Sequence, residues 1–147
     1  MPIKSHLVIA TLGLFLVMSP HATGAGLAVP LVEAAREADA TAVRALLNDG
    51  VDVNIPEADG TMAIHWAVRL DSLEVTDLLI AAGADVMAAN AFDITPLSLA
   101  AINGNPAMLE KLLEAGADPN APMAHGDAVM LTAARTGRAD AIRTLIA

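Results

Sequence analysis

The residues that could do chemistry are few and far apart. Beyond Ala25 the chain holds two histidines, His65 and His125, and it has no Cys and no Tyr anywhere. A zinc site needs several ligands converging on one ion, and two histidines on different segments do not supply them. No Ser and His are placed to read as a nucleophile with its base. Carboxylates do recur, as Asp52, Asp85 and Asp118, each two positions after a glycine. An Asp in such a turn satisfies neighbouring backbone groups. One carboxylate per turn is also too little for calcium or for paired acid–base work. The sequence therefore reads as non-catalytic, with no cofactor and no metal.

What positions these residues is a repeat. Gly50, Gly83 and Gly116 are equally spaced, and Leu46, Leu79, Leu112 and Leu145 keep the same step, as do Ala34, Ala67, Ala100 and Ala133. A fixed period of about 33 residues marks a solenoid, in which stacked copies bury a core that no single copy has. The clearest copy runs from Thr95 to Asn120. Thr95 and Pro96 suit the N-cap and first position of a helix that fades by Gly104. Asn105 and Pro106 start a second helix, which sets Leu109, Leu112 and Leu113 on one face and ends at Gly116.

Thr95-Pro96-Leu97-Ser98-Leu99-Ala100-Ala101 with Gly104, followed by Gly116-Ala117-Asp118-Pro119-Asn120, resembles the ankyrin repeat, whose pattern is Thr-Pro-Leu-His-x-Ala-Ala and then Gly-Ala-Asp-Val-Asn. The second copy, Met62-Ala63-Ile64-His65-Trp66-Ala67, keeps His and loses Thr and Pro. The fourth, Ala128 to Ala134, keeps little beyond apolar residues and alanines. The resemblance implies an all-α ankyrin-repeat solenoid of stacked helix-turn-helix units with short β-turn or hairpin loops, and no catalytic residues. It assigns His65 to bonding the backbone of neighbouring turns. Trp66 stands where the family has a packed Leu and is expected in the core, as are Met62, Met108 and Met130 at helical or cap positions. Met87 replaces the Asn of Asn54 and Asn120, which weakens one turn.

The start of the chain differs from the rest. Lys4 is the only formal charge before Gly26, the run from Leu7 to Met18 is uncharged, and Ser19-Pro20 precede Ala22-Thr23-Gly24-Ala25. That is the pattern of a secretory signal peptide cut after Gly24 or Ala25, too short an apolar run to span a bilayer. Residues 26–147 form the repeat domain, with copies at about 27–54, 57–87, 90–120 and 123–147, the last one truncated. The first copy is expected to open as a cap on Val29-Pro30. The last one ends on Ile142, Leu145 and Ile146, which suggests a longer protein or a covered edge. Beyond Ala25, seven Lys and Arg face 17 Asp and Glu, a formal charge of −10. Such a surface disfavours nucleic acid and, once the signal is cut, an anionic membrane.

The family binds through a groove lined by turn tips and by the exposed ends of the inner helices. Carried onto this chain, the tips contribute Asp59 and Thr61, Phe92 and Ile94, His125 and Asp127. The helix ends contribute Arg36, Arg69, Leu70, Ile102, Asn103 and Arg135. Arg36, Arg69, Ile102 and Arg135 form one column, with apolar Phe92, Ile94 and Ile102 beside it. An aromatic and aliphatic centre flanked by arginines has the make-up of an interface hot spot. The expected partner is another protein, engaged through an extended segment with acidic and apolar residues. The expected setting is export, to a bacterial periplasm or beyond. Two other readings fit: the binding module of a longer exported enzyme, and a secreted effector acting on a host protein.

Overall fold

The computed structural model describes residues 25–121 and 128–147. The expected signal sequence up to Gly24, and the tip residues His125 and Asp127, lie outside them. The described residues form helices α1 (Ala25–Arg36), α2 (Ala40–Asn48), α3 (Ala63–Arg69), α4 (Leu73–Ala81), α5 (Pro96–Asn103), α6 (Pro106–Glu114), α7 (Val129–Arg135) and α8 (Ala139–Ile146), with no β-strand among them. Odd-numbered helices make an inner row, α1 on α3 on α5 on α7, and each packs against the even-numbered helix that follows it. In the outer row α2 packs on α4 and α6 on α8, while α4 and α6 approach less closely. The all-α stack expected from the repeat is the observed fold.

Short polar side chains start α2, α5 and α6. Asp39 accepts the N–H groups of Thr41 and Ala42, each at 3.0 Å, and Asn105 accepts that of Ala107 at 3.0 Å. Thr95 and Ser98 cap each other: the Ser98 N–H donates to Thr95 Oγ1 at 3.2 Å and the Thr95 N–H to Ser98 Oγ at 3.1 Å. The turn between paired helices passes each time through a left-handed residue, Ala38, Asp71, Gly104 and Gly137, with φ between 55° and 68°. Only the last two are the glycines that this conformation favours.

α1 corrects one expectation. It begins at Ala25 and carries Pro30 inside it, so the first copy does not open at Val29-Pro30. Pro30 is the sixth residue of α1, past the first turn, so the N–H it lacks removes one bond of the helical ladder.

The core follows the period. Ala67, Ala100 and Ala133 are fully buried where successive inner helices touch, and only a methyl group fits there. Leu79 and Leu112 are fully buried, whereas their counterparts Leu46 and Leu145 in the end copies are half-buried. A Leu that gains a neighbour on both sides contributes about 2 kcal/mol by burial, so the interior copies carry most of the stabilisation.

Candidate partner-binding face

Two turn tips stand side by side and share one local design. In the first, the Glu57 N–H donates to the Thr61 carbonyl at 2.7 Å and the Thr61 N–H to the Asp59 carboxylate at 2.9 Å. In the second, the Asn90 N–H donates to the Ile94 carbonyl at 3.1 Å, while Asn90 Oδ1 accepts the N–H groups of Phe92 and Ile94 at 3.0 and 3.1 Å. The tips are joined by the Ala91 N–H, which donates to the Asp59 carbonyl at 2.8 Å. Gly60 makes this approach possible: its φ is 80°, and a Cβ there would meet the Asn90 Cα at 3.3 Å.

His65 ties the second tip to the copy beneath it. Its Nδ1 accepts the Met62 N–H at 3.1 Å, which leaves Nε2 protonated, and Nε2 then donates to the carbonyls of Ala88 and Ile94, both at 3.1 Å. Burial pushes the imidazole below the usual histidine range, and its hydrogen bonds to the two carbonyls only partly oppose this. His65 is thus a neutral strut, as the repeat pattern implies. Ser98, the counterpart in the next copy, spends its hydroxyl within its own turn, donating to the Thr95 carbonyl at 2.7 Å.

Trp66 packs against the core, as the sequence suggested, but only in part. It is half-buried, and its ring forms part of the concave face. Its Nε1–H donates to Glu57 at 3.0 Å, the Arg36 guanidinium lies 4.4 Å from the ring centroid, and that of Arg69 lies 5.4 Å from it. Glu57 also pairs with Arg36 at 2.9 Å, and Glu33 pairs with Arg36 at 2.8 Å. A Leu would lie flat on the helix below, but Trp66 has a cation to stack on and a carboxylate for its N–H, so it stays at the surface. The clue was in the register: Glu33 and Thr132, one period before and two after, are polar.

The other candidate residues divide by what they touch. Phe92, Ile102 and Leu70 are exposed, Phe92 at 62%, so Phe92 is not folded onto its neighbour. Ile94 is half-buried. Thr61 is buried, and its hydroxyl accepts the Asn90 amide at 3.2 Å, so it supports the tip. Asn103 donates to the carbonyls of Val68 and Arg69 at 2.8 and 3.3 Å, closing the end of α3. Arg36 is held by two carboxylates, and Arg135 is exposed on the last turn of α7. The column keeps its register, with Ile102 between its arginines, but its members stand in unlike surroundings.

Between the tips and α3 lies a hollow of about 200 Å³, lined by Asp59, Thr61, His65, Trp66, Arg69, Asn90, Phe92, Ile94 and Leu99. Asp59 is exposed, and hydrogen bonds from the Thr61 backbone and side chain hold its carboxyl below the usual range. No group of His, Asp and Glu among the described residues could hold a metal ion, and none of the described helices is long and apolar enough to cross a membrane.

A family model described as ankyrin repeats (3 copies) matches residues 16–90, and one described as ankyrin repeats (many copies) matches residues 79–133. Among curated proteins, the Xenopus tropicalis neurogenic locus notch homolog protein 1 is 37% identical over 114 residues, which is 77% of this chain and 4% of that protein. Human ankyrin repeat and SOCS box protein 3 is 38% identical over 91 residues, covering 60% of this chain and 18% of the relative. Protein PhlB of Serratia liquefaciens is 35% identical over 97 residues, covering 65% and 43%. The chain thus spans a small part of the length of most of these relatives.

Proposed function

The chain belongs to the ankyrin-repeat family, and on that premise we propose that it is an exported, non-catalytic module that binds another protein through the concave face between the second and third copies. Ankyrin repeats generally mediate protein–protein interaction. The observation that carries the reading is Phe92, 62% exposed on a tip whose backbone N–H groups, from Asn90 to Ile94, are all engaged. A rigid tip gives its side chain a fixed position, and an aromatic group held so loses little freedom on binding. Ile94, Ile102 and Leu70 extend the apolar surface, and Arg69 borders it. The partner presents an extended segment with apolar and acidic residues. Nucleic acid and membrane surfaces are disfavoured by the acidic balance. Export rests on the short apolar run from Leu7 to Met18 and the small residues that follow it, and points to the periplasm.

The test is retention of proteins from a periplasmic extract on immobilised chain that begins at Gly26, beside a Phe92→Ala, Arg69→Glu double variant with an unchanged circular dichroism spectrum. Proteins held by the wild type and released by the variant support the groove. The same set held by both removes it.

A further inference from the structure

The polar groups around the hollow are almost all used up. The Thr61 hydroxyl and the Asn90 amide are joined to each other. His65 is engaged through both ring nitrogens, and the Trp66 N–H is taken by Glu57. Two groups keep bonding capacity toward the space itself: the Asp59 carboxylate and the Arg69 guanidinium, both exposed and both lining it. Neither forms an ion pair, with the other or with any other described residue. Arg69 has the face of Trp66 as its contact. Between these opposite charges the walls are apolar: the Trp66 ring, Phe92, Ile94 and Leu99.

From this we infer, building on the groove reading above, that the occupant is a dipolar protein segment. Its basic group lies against Asp59, its acidic group against Arg69, and an apolar side chain between them fills the Phe92–Ile94 wall. An acidic segment alone would leave Asp59 facing like charge. An apolar segment alone would leave two desolvated charges without partners, and both arrangements are penalised. In an extended segment alternate side chains point the same way, so the three groups fall on every second residue.

Trp66 is the only Trp in the chain and there is no Tyr, so its fluorescence reports on this hollow directly. The experiment titrates the chain with end-capped peptides containing Lys-Gly-Leu-Gly-Glu, the reverse order, and versions in which Gln replaces the Lys or the Glu. One of the two doubly charged orders binds about fivefold tighter than either singly charged form, as expected for a partly exposed charge contact. Asp59→Asn, which keeps an acceptor for the Thr61 N–H, abolishes the preference for Lys and leaves that for Glu. Arg69→Gln does the reverse.

Equal affinity for the doubly charged and the Glu-only peptides would overturn the dipolar occupant while leaving the groove standing. Comparable quenching by free leucine, itself a zwitterion, would overturn a protein segment as the occupant. Silence from every peptide, with extract proteins still released by the Phe92 variant, would overturn the dipolar segment while leaving the groove standing. The same silence with no dependence on Phe92 would end both proposals.

Discussion

The joint between the second and third copies has two unlike edges. On the inner edge, backbone and buried side chains cross it: His65 to Ala88 and Ile94, Asn90 to Thr61, Ala91 to Asp59, and Asn103 to Val68. On the outer edge the crossing bonds are exposed, Lys111 to Asp77 and Asn105 to Asp71. There α4 and α6 leave an open cleft of about 420 Å³ lined by Leu73, Asp77, Ala107, Glu110, Lys111 and Glu114. Exposed ion pairs contribute little, so the two copies are held mainly from the inside. The rigid edge is the one that carries Phe92 and the hollow.

The largest effect should come from cutting the inner edge. His65→Ala removes one bond within its own copy and two to the next, and leaves space, so it should destabilise the fold by about 3 kcal/mol in urea unfolding. A loss below about 1 kcal/mol would mean that the inner edge does not hold the joint. The same residue sets a pH dependence. Its folded-state pKa is lowered, so its contribution is fully present above the ordinary histidine value of about 6.5 and is lost as the pH falls below it, when the unfolded chain takes up the proton first. The melting-temperature gap between wild type and His65→Asn should therefore narrow between about pH 8 and about pH 5. A constant gap would show that burial does not hold His65 neutral.

Phe92→Ala asks whether the rigid edge exists for what it carries. Because 62% of Phe92 is exposed and the tip's bonds are made by backbone and Asn90, folding should change by less than about 0.5 kcal/mol. Partner affinity should fall by about 2 kcal/mol, measured on a protein recovered from the retention experiment. Unchanged affinity with a large drop in melting temperature would reassign Phe92 to holding the tips together.

Much of the fold was legible because a repeat reports each position several times. The period located the helix pairs, the glycine turns and the buried alanines, and His65 came with the motif, whereas nothing in it announced left-handed Ala38 and Asp71. The structural detail of the site was harder to read. Arg36 and Arg69 look alike in a column, but Arg36 is neutralised by Glu33 in its own helix and by Glu57 from the following tip, a pairing that no periodicity announces. Trp66 was read only in part for the same reason, since its exposure depends on that cluster. Thr61 and Asn103 occupy binding positions in register, yet spend their polar groups on the stack.

The smallest effect would come from mending the outer edge. At the first joint, Asn54 Nδ2 donates to the Gly83 carbonyl at 3.0 Å and Asn54 Oδ1 accepts the Asp85 N–H at 2.8 Å. One period on, Met87 stands where that Asn would be, is 54% exposed, and can make neither bond. The backbone is already in place. The Asn54 and Met87 N–H groups donate to Asp52 and Asp85 in the same way, each at 2.9 Å. Met87→Asn should therefore reach the Gly116 carbonyl and the Asp118 N–H, the counterparts one period on, and add about 1 kcal/mol to the unfolding free energy. It removes little packing, because the Met side chain is largely in water. A gain confined to stability, with peptide affinity unchanged, would show that the two edges act independently. A gain accompanied by tighter binding would mean that joining the turns after α4 and α6 also steadies the tips. No gain at all would locate the looseness of this joint in the spacing of α4 and α6, beyond the reach of one side chain.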